Sequence, residues 1–288
     1  MGTHNVVFER FNSIDRLIKA NDNRHLNSAF KSKPILKSID IDPSTTKFTQ
    51  TKSYEEAVNL LENGWDKHLD TFKTENKLNA NTVIQKKRPT LSVVGYVPNV
   101  PNAIMGLPNS MITTEIVKQK IKAVTIIYSS CASYRWTAEE LVQCGISVMK
   151  IINVLESQGI RVKLIVEGIS STTVNKNWSL MWVDVKDWRE PLDLKKISFP
   201  VIHPSMLRRI AFRWLETNPN ITDSKFKNGY GNVIEGGDYF DTVVALKTHG
   251  LLKDNEYYIT PSFCKRNNFN SDRIMESLGL EKNKRKGA

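Results

Sequence analysis

The stretch from Lys122 to Glu167 constrains the fold most. Lys122 to Ser129 is a β-branched run of the kind found in buried strands. Thr137 and Glu140 stand at capping-box spacing, and an apolar helical period runs on to about Gln158, where Gly159 ends it. Arg161 to Glu167 is a second buried-type run. Strand, helix and strand in this order predict a right-handed crossover between two parallel strands. The core is therefore expected to be α/β, a mainly parallel sheet flanked by helices.

On the N-terminal side, Val7, Phe11, Ile14, Leu17 and Ile18 share one face of an expected helix over 6–20. Asn21 to Gln50, polar and carrying Pro34 and Pro43, reads as an extended connection, so residues 1–47 form a helical arm ahead of a core domain at 48–265. Ser53 and Glu56 open a further helix that stops at Gly64 before Trp65. Residues 73–88 read as a surface linker and Leu91 to Val94 as a short strand. Between Gly95 and Met111, Pro98, Pro101 and Pro108 exclude regular structure and fix backbone angles. Val97, Val100, Ile104, Met105 and Leu107 give this rigid loop more apolar surface than a solvated loop carries, so it either packs on the sheet or docks a partner, with Ile104 and Leu107 as the contact residues.

Beyond the crossover, Trp178 to Val185 reads as a third strand and Pro204 to Glu216 as a helix with His203 just ahead of it. Asn218 to Gly237 reads as a long loop. Tyr239 to Leu246 and Glu256 to Thr260 are strand-like, and residues 266–288 form a C-terminal helix and basic tail, with four basic residues between Lys282 and Lys286.

Composition limits the function classes. Of 288 residues, 40% are hydrophobic and 25% charged, which suits a folded globular chain. No apolar run approaches the ~20 residues of a membrane span, the N-terminus lacks a signal-peptide pattern, and Cys131, Cys144 and Cys264 form no disulfide framework. A cytoplasmic setting without membrane contact is expected. The formal charge of +11 favours nucleic acid or an acidic protein as partner.

Chemistry-bearing residues fall into four groups. Ser129, Ser130, Cys131 and Ser133, with Arg135 close behind, lie between a core strand and its helix, where open α/β sheets place ligands. A nucleophile there needs a base, and His203 is the histidine in a core context. Glu235, Asp238 and Asp241 form an acidic cluster beside Gly236 and Gly237, and neither they nor Gly229-Tyr230-Gly231 make a phosphate loop. Arg208, Arg209 and Arg213 with Phe212 and Trp214, and Lys265, Arg266 and Arg273 near Phe263 and Phe269, combine basic and aromatic residues as nucleic-acid surfaces do. No motif calls for a cofactor or a metal. A hydrolase built on Ser129–Ser133 or on the Glu235 to Asp241 acids is the alternative to a protein that acts by binding.

Two resemblances add to this reading. The Ser129–Ser133 loop is similar in layout to the metal-binding loop of von Willebrand factor A domains, but the aspartate of that loop is missing in every register. Ser53 to Trp65, Val97-Pro98-Asn99-Val100-Pro101 through Met105-Gly106-Leu107-Pro108 to Met111, and Cys144-Gly145 through Leu164 together resemble, over about 48–170, an uncharacterised family of bacteriophage and mobile-element proteins. That resemblance implies a phage origin and a host-cytoplasm setting. Together with the basic surplus and the absence of a complete catalytic set, it leads to the expectation of an accessory protein that binds nucleic acid or binds and inhibits a host defence protein, homo-oligomers being compatible with either. It transfers no catalytic residue.

Overall fold

The computed structural model describes residues 6–31, 35–73, 87–116, 123–173, 177–221, 230, 232–233 and 239–280. Its strands are β1 (Val6–Phe11), β2 (Lys87–Ser92), β3 (Val97–Pro98), β4 (Met111–Ile116), β5 (Ala123–Ser129), β6 (Arg161–Thr172), β7 (Trp178–Lys186), β8 (Asn232–Val233) and β9 (Glu256–Ile259). The helices are α1 (Ile14–Asn23), α2 (Pro43–Thr49), α3 (Tyr54–Asn63), α4 (Asp70–Lys73), α5 (Val100–Ile104), α6 (Ala138–Ser157), α7 (Leu194–Ile202), α8 (Phe212–Thr217), α9 (Tyr239–Thr248), α10 (Pro261–Arg266) and α11 (Ser271–Ser277). A π-helical turn, Met206–Ala211, leads into α8.

The large sheet runs in the order β1-β7-β6-β5-β9, with β8 paired to β6. β5 is parallel to β6 and to β9, and β1 is parallel to β7, while β6 and β7 are antiparallel neighbours. The expected crossover is present: β5, α6 and β6 follow one another, with Ala123 opposite Arg161 and Ser129 opposite Glu167. Its helix starts where the capping box puts it. Thr137 Oγ1 accepts from the Glu140 amide at 3.2 Å, and the Glu140 carboxylate accepts from the Thr137 amide at 3.0 Å. Ile126, Ile127, Val162, Leu164, Ile165 and Val166 are completely buried, which is why both strands read as continuous apolar runs.

Several boundaries differ from expectation. The helix expected over 6–20 is divided: residues 6–11 alternate and join the sheet edge as β1, and Ser13 caps α1 by accepting from the Arg16 amide. Phe8 meets the Trp182 ring edge-on at 5.3 Å, a cross-strand contact that a helix would not make. The expected extended connection contains α2, capped by Asp42, and residues 38–51 fold back on the π-turn. Tyr239 to Leu246 is helical, with Tyr239 donating to the Tyr258 carbonyl and Leu246 buried. Within 95–108, Val97–Pro98 pairs with β4, and Asn99 caps α5, whose first turn accommodates Pro101. Residues 74–86, most of the 218–237 loop and the tail from 281 lie outside the described residues.

β2, β4 and β3 form a separate antiparallel sheet. No described apolar residue between Leu91 and Ile112 joins the hydrophobic core, which corrects the expectation of a loop packed on the main sheet.

Candidate binding site

At the carboxyl end of β5 the sheet converges on one buried carboxylate. Glu167 sits at a register shift between β6 and β7, and such irregularities turn a side chain out of the regular alternation. Ser129 donates to Oε1 at 2.6 Å, Tyr258 to Oε1 at 2.9 Å and Trp182 Nε1 to Oε2 at 2.8 Å. Residues from β5, β6, β7 and β9 are thus tied at a fully buried point. Burial raises the Glu167 pKa, with the hydrogen bonds acting in the opposite direction.

This network decides the role of the serine loop. Ser129 is engaged with Glu167, and Ser130 Oγ faces the Glu167 and Gly168 carbonyls at 3.1 and 3.2 Å. The Cys131 thiol donates to the Ser170 carbonyl, and burial pushes its pKa up to about 12, far from a thiolate nucleophile. His203 accepts from the Ser205 amide through Nδ1, stacks on Phe199 at 4.6 Å, and is pushed down to about 3 by burial. It is a neutral packing residue. Glu235 and Asp238 lie outside the described residues, Asp241 is exposed in the first turn of α9, and the described residues hold no group of three His, Cys, Asp or Glu able to bind a metal.

The basic candidates separate by environment. Arg209 is completely buried and donates to the carbonyls of Ser38, Asp40 and Thr51 at 3.1, 2.7 and 3.1 Å. It clamps the N-terminal segment to the π-turn and meets no external ligand. Arg213 lies over the Tyr54 ring at 5.8 Å. Phe212, Trp214 and Phe263 are core residues, which removes them as stacking platforms, and Phe269 packs against the core.

Arg135 and Lys265, about as far apart in sequence as two halves of a domain, line one open cleft of ≈ 380 Å³ with Ser133, Trp136, Ser262 and Arg266. Lys265 Nζ stands 4.9 Å from the Trp136 ring centre and 2.7 Å from Glu140 Oε1. Arg273 is exposed on α11 and does not line the cleft. Ser133 also lines an adjoining cavity of ≈ 60 Å³, together with Cys131, Ser171 and Arg208. Tyr134, Trp136 and Ser171 are members of this region that the sequence reading did not single out. The run Tyr134-Arg135-Trp136, aromatic and basic residues directly after a strand-end loop, was the available signal for the first two.

The second surface is apolar. Among the described residues, nine of the sixteen large exposed hydrophobic side chains lie between Leu91 and Leu107, among them Ile104 at 80%, Val94 at 78% and Val93 at 66% exposure.

With both surfaces placed, the family can be stated. The chain belongs to the family described as Domain of unknown function (DUF7192). The family model matches residues 1–282, so both surfaces fall inside the family unit. No curated protein and no solved structure matches the chain. No helix among the described residues is long and apolar enough to cross a membrane.

Proposed function

We propose that the protein acts by binding a macromolecule, without chemistry of its own, and that it docks a protein partner on the apolar face of the β2–β4 sheet and α5. The observation that carries this reading is the exposure of Ile104, Val94 and their neighbours on an element that buries none of them in the core. Soluble monomers rarely expose contiguous apolar patches beyond a few hundred Å², and larger ones mark interaction sites. The net charge of +11 favours a partner with an acidic rim around its own apolar patch. On the phage resemblance, that partner is a host protein in the cytoplasm. Capture from a nuclease-treated host extract tests it. The double substitution Ile104→Ser with Leu107→Ser should weaken capture by roughly 30-fold or more, as two central anchors do, with an unchanged melting temperature. Retention of the partner by the variant defeats the proposal. Sedimentation of the free protein shows whether the same face instead pairs two copies.

A second reading rests on a different observation, the convergence of Arg135, Trp136, Lys265 and Arg266 on one cleft. These residues suit a nucleic-acid strand, with phosphates on the cations and a base against the indole. Binding of a labelled oligonucleotide should then fall steeply with salt, and Arg135→Glu should remove about one unit of that slope. A salt-independent affinity would remove this reading.

A further inference from the structure

We propose that the small cavity lined by the β5–α6 loop, β6, β8 and the π-turn is a binding site for a phosphate-sized oxyanion, held by Arg208 with Ser171 and Ser133. This site is independent of the docking face and of the open basic cleft, although Ser133 borders both the cavity and the cleft.

The argument begins with a cation that lacks an acceptor. The Arg208 guanidinium lies between two aromatic rings, 5.0 Å from Phe48 and 5.3 Å from Phe212. Its Nε is buried without a partner, and among the described residues the guanidinium forms neither an ion pair nor a hydrogen bond. A cation–π contact stabilises the charge but leaves the N–H donors in the guanidinium plane unused. Burial accordingly draws the Arg208 pKa down. Among the described residues, neighbouring side chains do not supply the missing charge. The Cys131 thiol stays neutral at ordinary pH, the Glu167 carboxylate is saturated by Ser129, Tyr258 and Trp182, and Glu216 is engaged by Ser38 and Tyr230. Arg208 is half-buried, and its Nε is the atom shut off from water without an acceptor; a buried donor in that state costs free energy that an anion would relieve.

The second observation points into the same space. Ser171, 3% exposed, has a buried Oγ with no hydrogen-bond partner, and it lines the cavity opposite the π-turn. An unused hydroxyl and an unused guanidinium around one void form a donor set for an oxyanion, with tetrahedral oxygens available to both. The void, ≈ 60 Å³, has room for a phosphoryl group. Its position agrees with this. It lies beyond the carboxyl end of β5, where open α/β sheets bind ligands, and Arg208 is carried on a π-helical turn, a distortion frequent at functional sites. Arg135 and Lys265 in the adjoining cleft give an entering anion a favourable field.

The test uses the full chain and inorganic phosphate, with sodium chloride adjusted to hold ionic strength constant. Phosphate should raise the melting temperature in a saturable way and sulfate should follow, whereas acetate should not. Arg208→Gln should abolish the saturable shift, and Ser171→Ala should weaken binding by roughly tenfold or more, the loss of one hydrogen bond to a charged group. If Arg208→Gln fails to fold, Arg208→Lys replaces it: the point charge is kept and the planar fork lost, so binding should persist about tenfold weaker. An oligonucleotide with a terminal phosphate, compared with its hydroxyl-ended twin, separates a chain-end phosphate from the free ion, and preference for the phosphorylated strand or equal weak binding of both identifies the source. Absence of a saturable shift in the wild type, an equal response to acetate, or phosphate binding unchanged in both the Arg208 and the Ser171 variants would overturn the site.

Discussion

The large sheet and the β2–β4 sheet use similar residues and stand in opposite relations to water. In β5 and β6, Ile126, Ile127, Leu164 and Ile165 are completely enclosed by α6, α7 and the π-turn, and the one carboxylate among them is satisfied from neighbouring strands. In the small sheet and its β2–β3 connection, Leu91, Val93, Val94 and Val97 carry the same apolar character and remain exposed, because among the described residues no helix of the body packs closely against them. Apolar content thus reports what a segment can bury, and topology reports what is available to bury it. Where the chain itself offers no cover, the cover is expected from outside, which is the physical basis of the docking proposal.

The comparison breaks most sharply at Glu167. Glu167→Leu would leave the Ser129 and Tyr258 hydroxyls and the Trp182 indole N–H buried without an acceptor, at about 1–3 kcal/mol each. A loss above ~3 kcal/mol is expected in urea unfolding of the main body. Glu167→Gln should cost much less, because the amide oxygen still accepts from Trp182 and the two hydroxyls can turn to accept from the amide. The native Glu167 also carries a pH dependence. Since its folded pKa is raised, the folded state holds the proton longer, so this contribution to stability falls as pH rises through the window above the normal carboxyl range. Glu167→Gln should flatten that decline. If Glu167→Leu proved neutral, the four-strand junction would not be what holds the sheet.

His203 gives the next effect, with the opposite sign. Burial, reinforced by Lys67 and His68, pushes its pKa down to about 3. As pH falls below the usual histidine value of about 6.5, the unfolded chain binds a proton that the folded one refuses, so stability should fall by up to ~1.4 kcal/mol per pH unit. His203→Gln keeps an acceptor for the Ser205 amide and cannot titrate. Thermal melts between neutral pH and the onset of carboxylate protonation should therefore be flatter for the variant, and parallel curves would show that His203 takes up its proton in the folded state.

How far these features were legible in the sequence follows from the physics of each. The β5–α6–β6 unit carried two independent signals, a capping box and apolar runs bounded by glycine, and both survived folding. Val6–Phe11 and Tyr239–Thr248 were misread because short apolar segments fit more than one period, and the choice was made by partners distant in sequence, Trp182 for the first and Tyr258 for the second. Arg208 and Arg209 are adjacent, yet one borders a cavity and the other clamps three carbonyls. Their successive positions around the π-turn and the fold-back of residues 38–51 separate them. Glu167 was visible only as the end of a strand, since its donors come from residues 129, 182 and 258.

The smallest expected effect on global stability sharpens the contrast between the main body and the small sheet through one substitution made in each. Gly145 on α6 packs so closely on α7 that an added Cβ would stand 2.5 Å from both the Ile202 Cα and the Val201 carbonyl oxygen. Gly145→Ala should force the two helices apart and destabilise the body by about 1–3 kcal/mol, the usual penalty of overpacking. Gly95 approaches β4 as closely: its Cβ would meet the Ile112 carbonyl oxygen at 2.2 Å, beside the Tyr96 amide that donates to that oxygen at 3.0 Å. Gly95→Ala must disturb the small sheet at least as much, yet the main melting transition should move by less than ~0.5 kcal/mol, because mutations add independently where contacts are not shared. Hydrogen exchange should reveal the damage as lost protection confined to residues 87–116. A large fall in the main transition on Gly95→Ala would mean that the two sheets fold as one cooperative unit, and the apolar face of the small one would then be tied to the stability of the body.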